Sequence, residues 1–306
     1  MSRGITKLLQ LIAFGSGIAT LFGFATGWST VAPADLRPTV WTLLGITCAS
    51  FISLFWVQAR YSRRARYAEV LASIQESARL LNGLALNTAD ECQLAIDRIM
   101  DELAEAFSIV TSRRCAVWLK RISSGPQPTD YLKYRLHDVA RDKKSKWRSK
   151  LFNTSRSEHL LGENSHLLHL FRNTGEPQGR CFFSNNLPSN KQYRSSGFAV
   201  YGEASWGDTP WPKKLFSTLT GWVLPYRSQI VVPVMSRTDG KPLICGYLSV
   251  DSASKNIFDW RYDVTLLEVF ADILQLPLQK LNTVIQEQKE MSDAELQHDR
   301  TPHEKP

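Results

Sequence analysis

The sequence predicts an α+β fold, an antiparallel sheet flanked by helices, preceded by a two-helix transmembrane hairpin. Three observations carry that prediction. Two charge-free segments lie near the N-terminus, helical and alternating apolar patterns follow in the order helix, strands, helix, strand pair, helix, and an Asp-Gly turn joins the two strongest strands.

Leu8 to Trp28 and Val40 to Val57 contain no Asp, Glu, Lys or Arg. As helices rising ~1.5 Å per residue they would span roughly 31 and 27 Å, close to the hydrocarbon thickness of a bilayer. Arg3 and Lys7 precede the first segment, and Arg60, Arg63, Arg64 and Arg66 follow the second, whereas the connecting Ser29 to Thr39 holds only Asp35 and Arg37. Positive flanks stay cytoplasmic, so both termini are expected inside and the loop outside, in a bacterial-type inner membrane. Trp28 and Trp41 fall at the expected outer boundary and Trp56 at the inner one, and Pro33 and Pro38 end helices in the loop. Gly15, Ala19, Gly23 and Gly27 form a small-residue stripe on the first span, and Gly45, Ala49 and Ser53 one on the second. Such stripes admit close backbone approach, within one hairpin or between protomers. Ala32-Pro33-Ala34 has the small-x-small form of a signal-peptide cleavage site. The apolar stretch before it is too long for a signal peptide and a second span follows at once, so cleavage is not expected.

The chain has 306 residues, 37 basic and 29 acidic, for a net charge of +8. Beyond the hairpin, about 245 residues leave room for one large domain with helices and a tail. Part of the basic excess is the arginine cluster after the second span, which favours anionic headgroups and reads first as a topology signal. The five cysteines, Cys48, Cys92, Cys115, Cys181 and Cys245, are odd in number, widely spaced and without a CxxC. That pattern suits reduced thiols and argues against a disulfide framework or a zinc site.

Residues 61–87 read as a linker helix. Leu71, Ile74, Ala78, Leu81 and Ala85 follow a 3-4-3-4 seam of about two heptads, which would either hold two chains in parallel or pack on the chain's own domain. Asn82-Gly83 weakens it. Thr88 and Glu91 then form a capping-box pattern, opening an amphipathic helix through Cys92, Ala95, Ile96, Ile99, Leu103, Ala106 and Phe107. Strands are expected near Cys115 to Lys120, over Tyr131 to Val139, Arg180 to Ser184, Gln229 to Met235 and Leu243 to Val250, with Asp239-Gly240 in the last turn. Helices are expected over Glu163 to Arg172 and Val264 to about Gln288. The domain therefore covers 88–288, and a polar tail, 289–306, is expected to be disordered.

Within this domain Tyr226-Arg-Ser-Gln-Ile-Val-Val-Pro-Val234, Gly240, Cys245-Gly-Tyr-Leu-Ser-Val-Asp-Ser252, Phe258, Asp263 and the run Leu266 to Leu274 with Phe270-Ala-Asp272 follow in order. Together with Thr174-Gly-Glu-Pro177, they resemble the GAF family, closely over Tyr226 to Leu281 and loosely from Ala89 to Ser184. The resemblance implies a small-molecule sensor domain, often dimeric, and names no cofactor. Cyclic-nucleotide members often carry an Asn-Lys…Phe…Asp-Glu set, which would fall on Asp251, Ser252, Phe258, Asp263 and Val264; only Phe258 and Asp263 agree. A bilin would need a Cys-His pair, which is missing. The methionine sulfoxide reductases of this type need a redox cysteine set in a Gly-rich loop, whereas Cys115, Cys181 and Cys245 read as strand residues.

The expected ligand segment is Asn190 to Arg227, with Tyr193, Phe198, Tyr201, Trp206, Trp211, Phe216, Trp222 and Tyr226 to stack on a planar ligand, and Arg194 and Arg227 for an anion. The same aromatics would also serve to pack the segment onto the sheet. The candidate ligand residues are Trp206, Trp222, Tyr226, Arg227, Ser228, Asp251, Phe258 and Asp263. The basic stretch Arg141 to Arg156 reads mainly as a solvated charged insertion, the alternative being a phosphate contact. His166 and His169 lie three apart with no third metal ligand, and no P-loop, nucleophile elbow, kinase or cyclase signature occurs. No enzyme activity is expected, and nucleic acid is not an expected partner. Three readings stay open: a membrane-anchored sensor working as a homodimer, a membrane effector whose hairpin oligomerises, and a scaffold that recruits a separate signalling enzyme.

Overall fold

The computed structural model describes residues 3–31, 33–34, 37–83, 86–122, 130–148, 159–198, 222–238 and 241–298. The chain divides into two compact units, Met1–Ala68 and Glu69–Pro306.

Two helices make the first unit: α1 (Arg3–Val31) and α2 (Arg37–Gly83), the latter continuing into the second unit. Second span, arginine cluster and linker seam thus form one unbroken helix. Neither Gly nor Pro occurs between Gly45 and Gly83, and Pro38 sits in the first turn, where its missing N–H costs nothing. The helix is described as far as Gly83, and Ala85, the last position of the expected seam, lies outside the described residues. Among the described residues no helix is long and apolar enough to cross a membrane. The transmembrane hairpin is therefore not carried by the described structure. Part of each expected span, the side chains of residues 1–14 and of Phe55 and Trp56, lies outside the described residues, as do those of Arg60, Arg63 and Arg64. What is described is apolar and uncovered: Phe24, Trp28, Leu43, Ile46, Ile52 and Leu54 are exposed. Phe22 and Trp41 meet edge-on with ring centroids 6.1 Å apart, and Ala25 and Leu44 are buried.

The second unit is a five-stranded antiparallel sheet with helices on both faces. Helix α3 (Ala89–Thr111) opens with the expected capping box: Thr88 Oγ1 accepts from the Glu91 amide, and the Glu91 carboxylate accepts from the Thr88 amide. It closes on Ser112 in the left-handed region. Then come β1 (Ala116–Ile122), β2 (Leu136–Arg141), α4 (Ser165–Arg172), β3 (Phe182–Ser184), β4 (Ser228–Thr238), β5 (Lys241–Ser252) and α5 (Trp260–His298). The strand order is β2-β1-β5-β4-β3.

Period-2 alternation divides the strand residues between the faces. Val117, Leu119, Val250, Leu248, Ile230 and Val232 are buried on the α3 and α5 face, and Arg121 there bonds Asn282 of α5. The other face carries Trp118, Tyr247 and Val231, which cluster with Leu167, Leu168 and Leu170 of α4. Gly246 is required where β5 passes β1: a Cβ there would stand 2.5 Å from the Lys120 carbonyl oxygen and 3.1 Å from Leu278 Cδ2. Pro233 lies inside β4 beyond the reach of short β3, where a position facing away from β5 needs no N–H for the ladder.

Two expectations change. The strand placed over Tyr131 to Val139 begins only at Leu136. Before it Asp130 accepts from the Leu132 amide and winds Tyr131–Lys133 into a 3-10 turn, a local hydrogen bond that outcompetes extended backbone. Helix α5 runs past the expected domain end at 288 to His298, through Pro277. The expected turn residues Asp239-Gly240 lie outside the described residues, as do 299–306 of the expected tail.

Candidate functional site

The face of the sheet toward α4 should be apolar if it only packs a helix. Instead Lys120 on β1, Asp138 and Arg141 on β2, Gln229 on β4, and Ser249 and Asp251 on β5 all lie on it. All are buried but Asp138, whose side chain is still only 10% exposed. Asp138 and Arg141 are three apart and would normally face opposite ways. The register shift between Leu119 and Lys120 adds a residue to β2 and turns both to the same side.

These groups form two ionic clusters and a polar chain. Asp138 binds Lys120 Nζ at 3.1 Å and Arg141 Nε at 3.0 Å. The two cations hold the Asp138 carboxyl down at about 2 against the upward push of burial, while burial and the neighbouring Arg141 lower Lys120. Asp251, fully buried, accepts Arg148 Nη1 at 2.9 and 3.0 Å. Burial pushes the Asp251 carboxyl up and Arg148 pulls it back. Gln229 Nε2 donates to Ser249 Oγ at 3.1 Å, and Tyr193 OH donates to Gln229 Oε1 at 3.0 Å and lies 3.4 Å from Tyr226 OH. Burial raises both tyrosines, so both remain neutral phenols.

Arg148 reaches Asp251 because its turn is pinned. The Asp142 carboxylate accepts the Val117 amide of β1 at 2.9 Å and the Ser145 amide at 3.1 Å, and Arg148 N donates to Ser145 O. The expectation of a solvated charged insertion is thus corrected for its first half. Arg141, Asp142, Ser145 and Arg148 are buried parts of the domain, while Lys144 and Lys146 make exposed pairs with Glu105 and Asp97. Residues 149–156 of that stretch lie outside the described residues.

Aromatic rings adjoin the polar floor. Tyr193 stacks on His166 (5.0 Å, 25°) and Phe182 (5.9 Å, 30°), and Phe198 and Trp222 meet edge-on at 5.2 Å and 90°. His166 is buried among them, and desolvation depresses it to about 3, so it is a neutral imidazole at physiological pH.

The sequence-predicted site residues divide. Trp222, Tyr226 and Asp251 do come together: Trp222 Nε1 donates to Tyr226 O at 2.9 Å, and Arg148 lies 5.9 Å over the Tyr226 ring while bonding Asp251. Arg227 contributes main chain, its amide to Ser252 O and its carbonyl to Leu187 N. Ser228 Oγ donates to Ser254 O and ties the start of β4 to the turn after β5. Phe258 and Asp263 do not join the site. Phe258 packs edge-on against Phe107 of α3, across the sheet, and Asp263 Oδ2 accepts the Asp259 amide at 2.7 Å to start α5. Their agreement with the cyclic-nucleotide set therefore reflects core packing and helix capping. Trp206 lies outside the described residues, with Tyr201, Trp211 and Phe216.

Sequence reasoning missed Lys120, Asp138, Arg148, Gln229 and Ser249 as site residues. One signal was available. In Tyr247-Leu-Ser-Val-Asp251 the polar residues recur every second position, so one whole face of a central strand had to be polar. Of the three cysteines expected in strands only Cys245 lies in one, while Cys115 and Cys181 immediately precede β1 and β3. Cys115 is pushed up to about 12 and Cys181 and Cys245 to about 11, mainly by burial, so they rest as thiols rather than nucleophilic thiolates. Among the described residues no group of three His, Cys, Asp or Glu side chains is placed to hold a metal.

No family model matches the chain, and no curated protein does. Solved structures align over most of their own length. A GAF domain from the Acinetobacter phosphoenolpyruvate-protein phosphotransferase is 14% identical, with 70% of this chain and 95% of that one covered and a TM-score of 0.39. Residues 122 to 287 of a methyl-accepting chemotaxis protein are 13% identical, with 68% and 97% covered and a TM-score of 0.40. A type II free methionine-R-sulfoxide reductase from Thermoplasma acidophilum is 18% identical, with 62% and 96% covered and a TM-score of 0.37. Likeness at this level assigns no family. It does correct the expectation that the chain is not an enzyme: the structures it aligns with include enzymes, so a resemblance to sensor domains does not exclude catalysis.

Proposed function

We propose that the chain is a membrane-anchored sensory or regulatory protein whose second unit, a GAF-like domain, binds a small molecule over the polar floor of its sheet. One observation carries this reading. The Arg148–Asp251 ion pair and the Tyr193–Gln229–Ser249 chain are both buried, beside the ring cluster of Phe182, Phe198 and Trp222. Buried polar groups are costly where apolar packing would serve, and convergent polar groups beside aromatic walls are the usual make-up of a ligand pocket. Anchoring is supported by the uncovered apolar side chains of α1 and α2, led by Val31 at 86%, Phe24 at 66% and Leu54 at 66% exposed. Native mass spectrometry of the full-length protein from cells, followed by a thermal-shift screen of nucleotides and cyclic dinucleotides, tests the binding. A retained or stabilising molecule whose effect disappears in Gln229→Leu is expected. An empty protein that none of them stabilises would leave the floor as a packing device and end this reading.

A second reading, the hairpin as effector, has its own support. A Cβ built on Gly15, Gly23, Gly27 or Gly45 meets no atom within 4 Å, so the small-residue stripe makes no close contact with described parts of the chain. The contact seen between the helices, Phe22 with Trp41, lies elsewhere. Leu at Gly23 and Gly27 therefore displaces nothing in the protomer but blocks approach by a second copy. Dye leakage from vesicles carrying the protein, if the stripe assembles, is expected to fall to background in the Gly23→Leu, Gly27→Leu double variant. Unchanged leakage, or none from the parent protein, would exclude it.

A further inference from the structure

We infer that a second, cationic cleft on the outer side of α4 binds a soluble phosphate-bearing small molecule, separately from the polar floor. The cleft, about 490 Å³, is lined by Ser165, Leu168, His169, Arg172, Lys191, Gln192 and Arg194. Three lining residues carry permanent positive charge and none is Asp or Glu. The volume lies within the range of small-molecule pockets.

The cleft is built from two segments locked together. Ser165 N donates to Arg194 O at 3.0 Å, and Arg194 N donates to Ser165 Oγ at 2.9 Å, so the start of α4 and the 190–194 turn are clamped by one main-chain bond and one to the Ser165 hydroxyl. Tyr193, between the cationic residues, is drawn into the ring cluster and anchors that turn from beneath, leaving Lys191 and Arg194 outside. Arg172 is oriented as well: its Nε donates to Tyr131 OH at 3.2 Å, its guanidinium lies 5.7 Å over the Tyr131 ring, and that ring stacks on Phe171 at 5.7 Å. The terminal guanidinium nitrogens are thereby presented on a fixed plane, the geometry with which Arg takes two phosphate oxygens. His169 Nδ1 lies 3.3 Å from the Asn173 amide nitrogen; accepting from it puts the neutral ring's proton on Nε2, a further donor. Three cationic residues and no Asp or Glu among the lining side chains make the cleft electrostatically complementary to an anion of two or more charges.

Isothermal titration of the full-length protein in detergent with inorganic pyrophosphate tests the site. Saturable binding is expected, weakened at least tenfold in Arg172→Gln, Arg194→Gln and weakening further as salt rises. Both residues are exposed, so the melting temperature should hold, and Lys191→Glu gives an independent loss. Ser249→Ala, in the floor, whose hydroxyl bonds Gln229 rather than Tyr193, should leave pyrophosphate binding unchanged, which separates this cleft from the site proposed above. No saturable binding at millimolar pyrophosphate, binding undiminished in the double variant, or capture only by phosphatidylglycerol vesicles that pyrophosphate does not displace would each overturn the inference.

Discussion

Replacing Asp138 with Asn is expected to destabilise the second unit by about 3 kcal/mol or more, the range for removing one partner of a buried ion pair. The reason is the count of charges. Lys120 and Arg141 both point at this carboxylate, and their side chains are 7% and 3% exposed. With Asn in its place two cations remain under the sheet face with a dipole where a charge stood. Lys120, lowered already by burial and by Arg141, then has a strong incentive to lose its proton. Its folded pKa lies below the unfolded value of 10.5, so the unfolded state binds that proton more tightly. Stability accordingly rises with pH as 10.5 is approached from below. The variant should regain stability between neutral and alkaline pH more steeply than the parent, as followed by thermal unfolding at several pH values. Asp138 has the opposite signature in the parent protein. Held at about 2, below the ordinary 3.8, it contributes stability that is complete above 3.8 and lost as pH falls toward 2. A parallel loss at every pH in Asp138→Asn would mean that Lys120 is not the group left stranded.

Much of the sheet was legible because its signals are local. The capping box at Thr88 and Glu91, the alternating Gln229 to Met235 and Leu243 to Val250, and the apolar spacing from Leu266 to Leu274 each act within a few residues, and each formed the expected element. The site was less legible because its pairs are distant in sequence. Arg148 and Asp251 are 103 residues apart, and nothing near Arg148 marks it as buried. Its neighbours Lys144 and Lys146 are solvated, so averaging over a basic run hid an arginine that turns inward. Asp138 and Arg141 share a face only through a bulge, a feature that periodicity cannot register. Conversely, Phe258 and Asp263 matched a family pattern residue for residue and still lie elsewhere, because an aromatic before a helix and an acid in its first turn also serve packing and capping.

Arg148→Met is the variant on which the site's construction turns. Asp251 is fully buried, and Arg148 is its direct cationic partner at 2.9 Å, with Arg141 acting only at longer range. Losing the guanidinium should cost about 3–5 kcal/mol at neutral pH, because the carboxylate is left charged in a medium that cannot solvate it. Two controls show whether that mechanism is right. First, burial already holds the Asp251 pKa above 3.8, so the folded state binds its proton more tightly than the unfolded one. This contribution is therefore full below 3.8 and lost as pH rises through the folded pKa. Without Arg148 the folded pKa climbs further, and the gap between variant and parent should narrow as pH is lowered from 7 toward 5. Second, Arg148→Met, Asp251→Leu removes both charges together and should be less destabilised than Arg148→Met alone, since a well-packed apolar pair often replaces an ion pair at little cost. A double variant worse than the single, with no narrowing at low pH, would show that Arg148 acts through its packing over Trp147 and Tyr226 rather than through charge. The same pair also bears on binding. If Arg148 and Asp251 form the floor of a ligand site, the double variant should fold yet lose any stabilising ligand. A buried ion pair retained where apolar side chains would hold the sheet as well is what a recognition role would require.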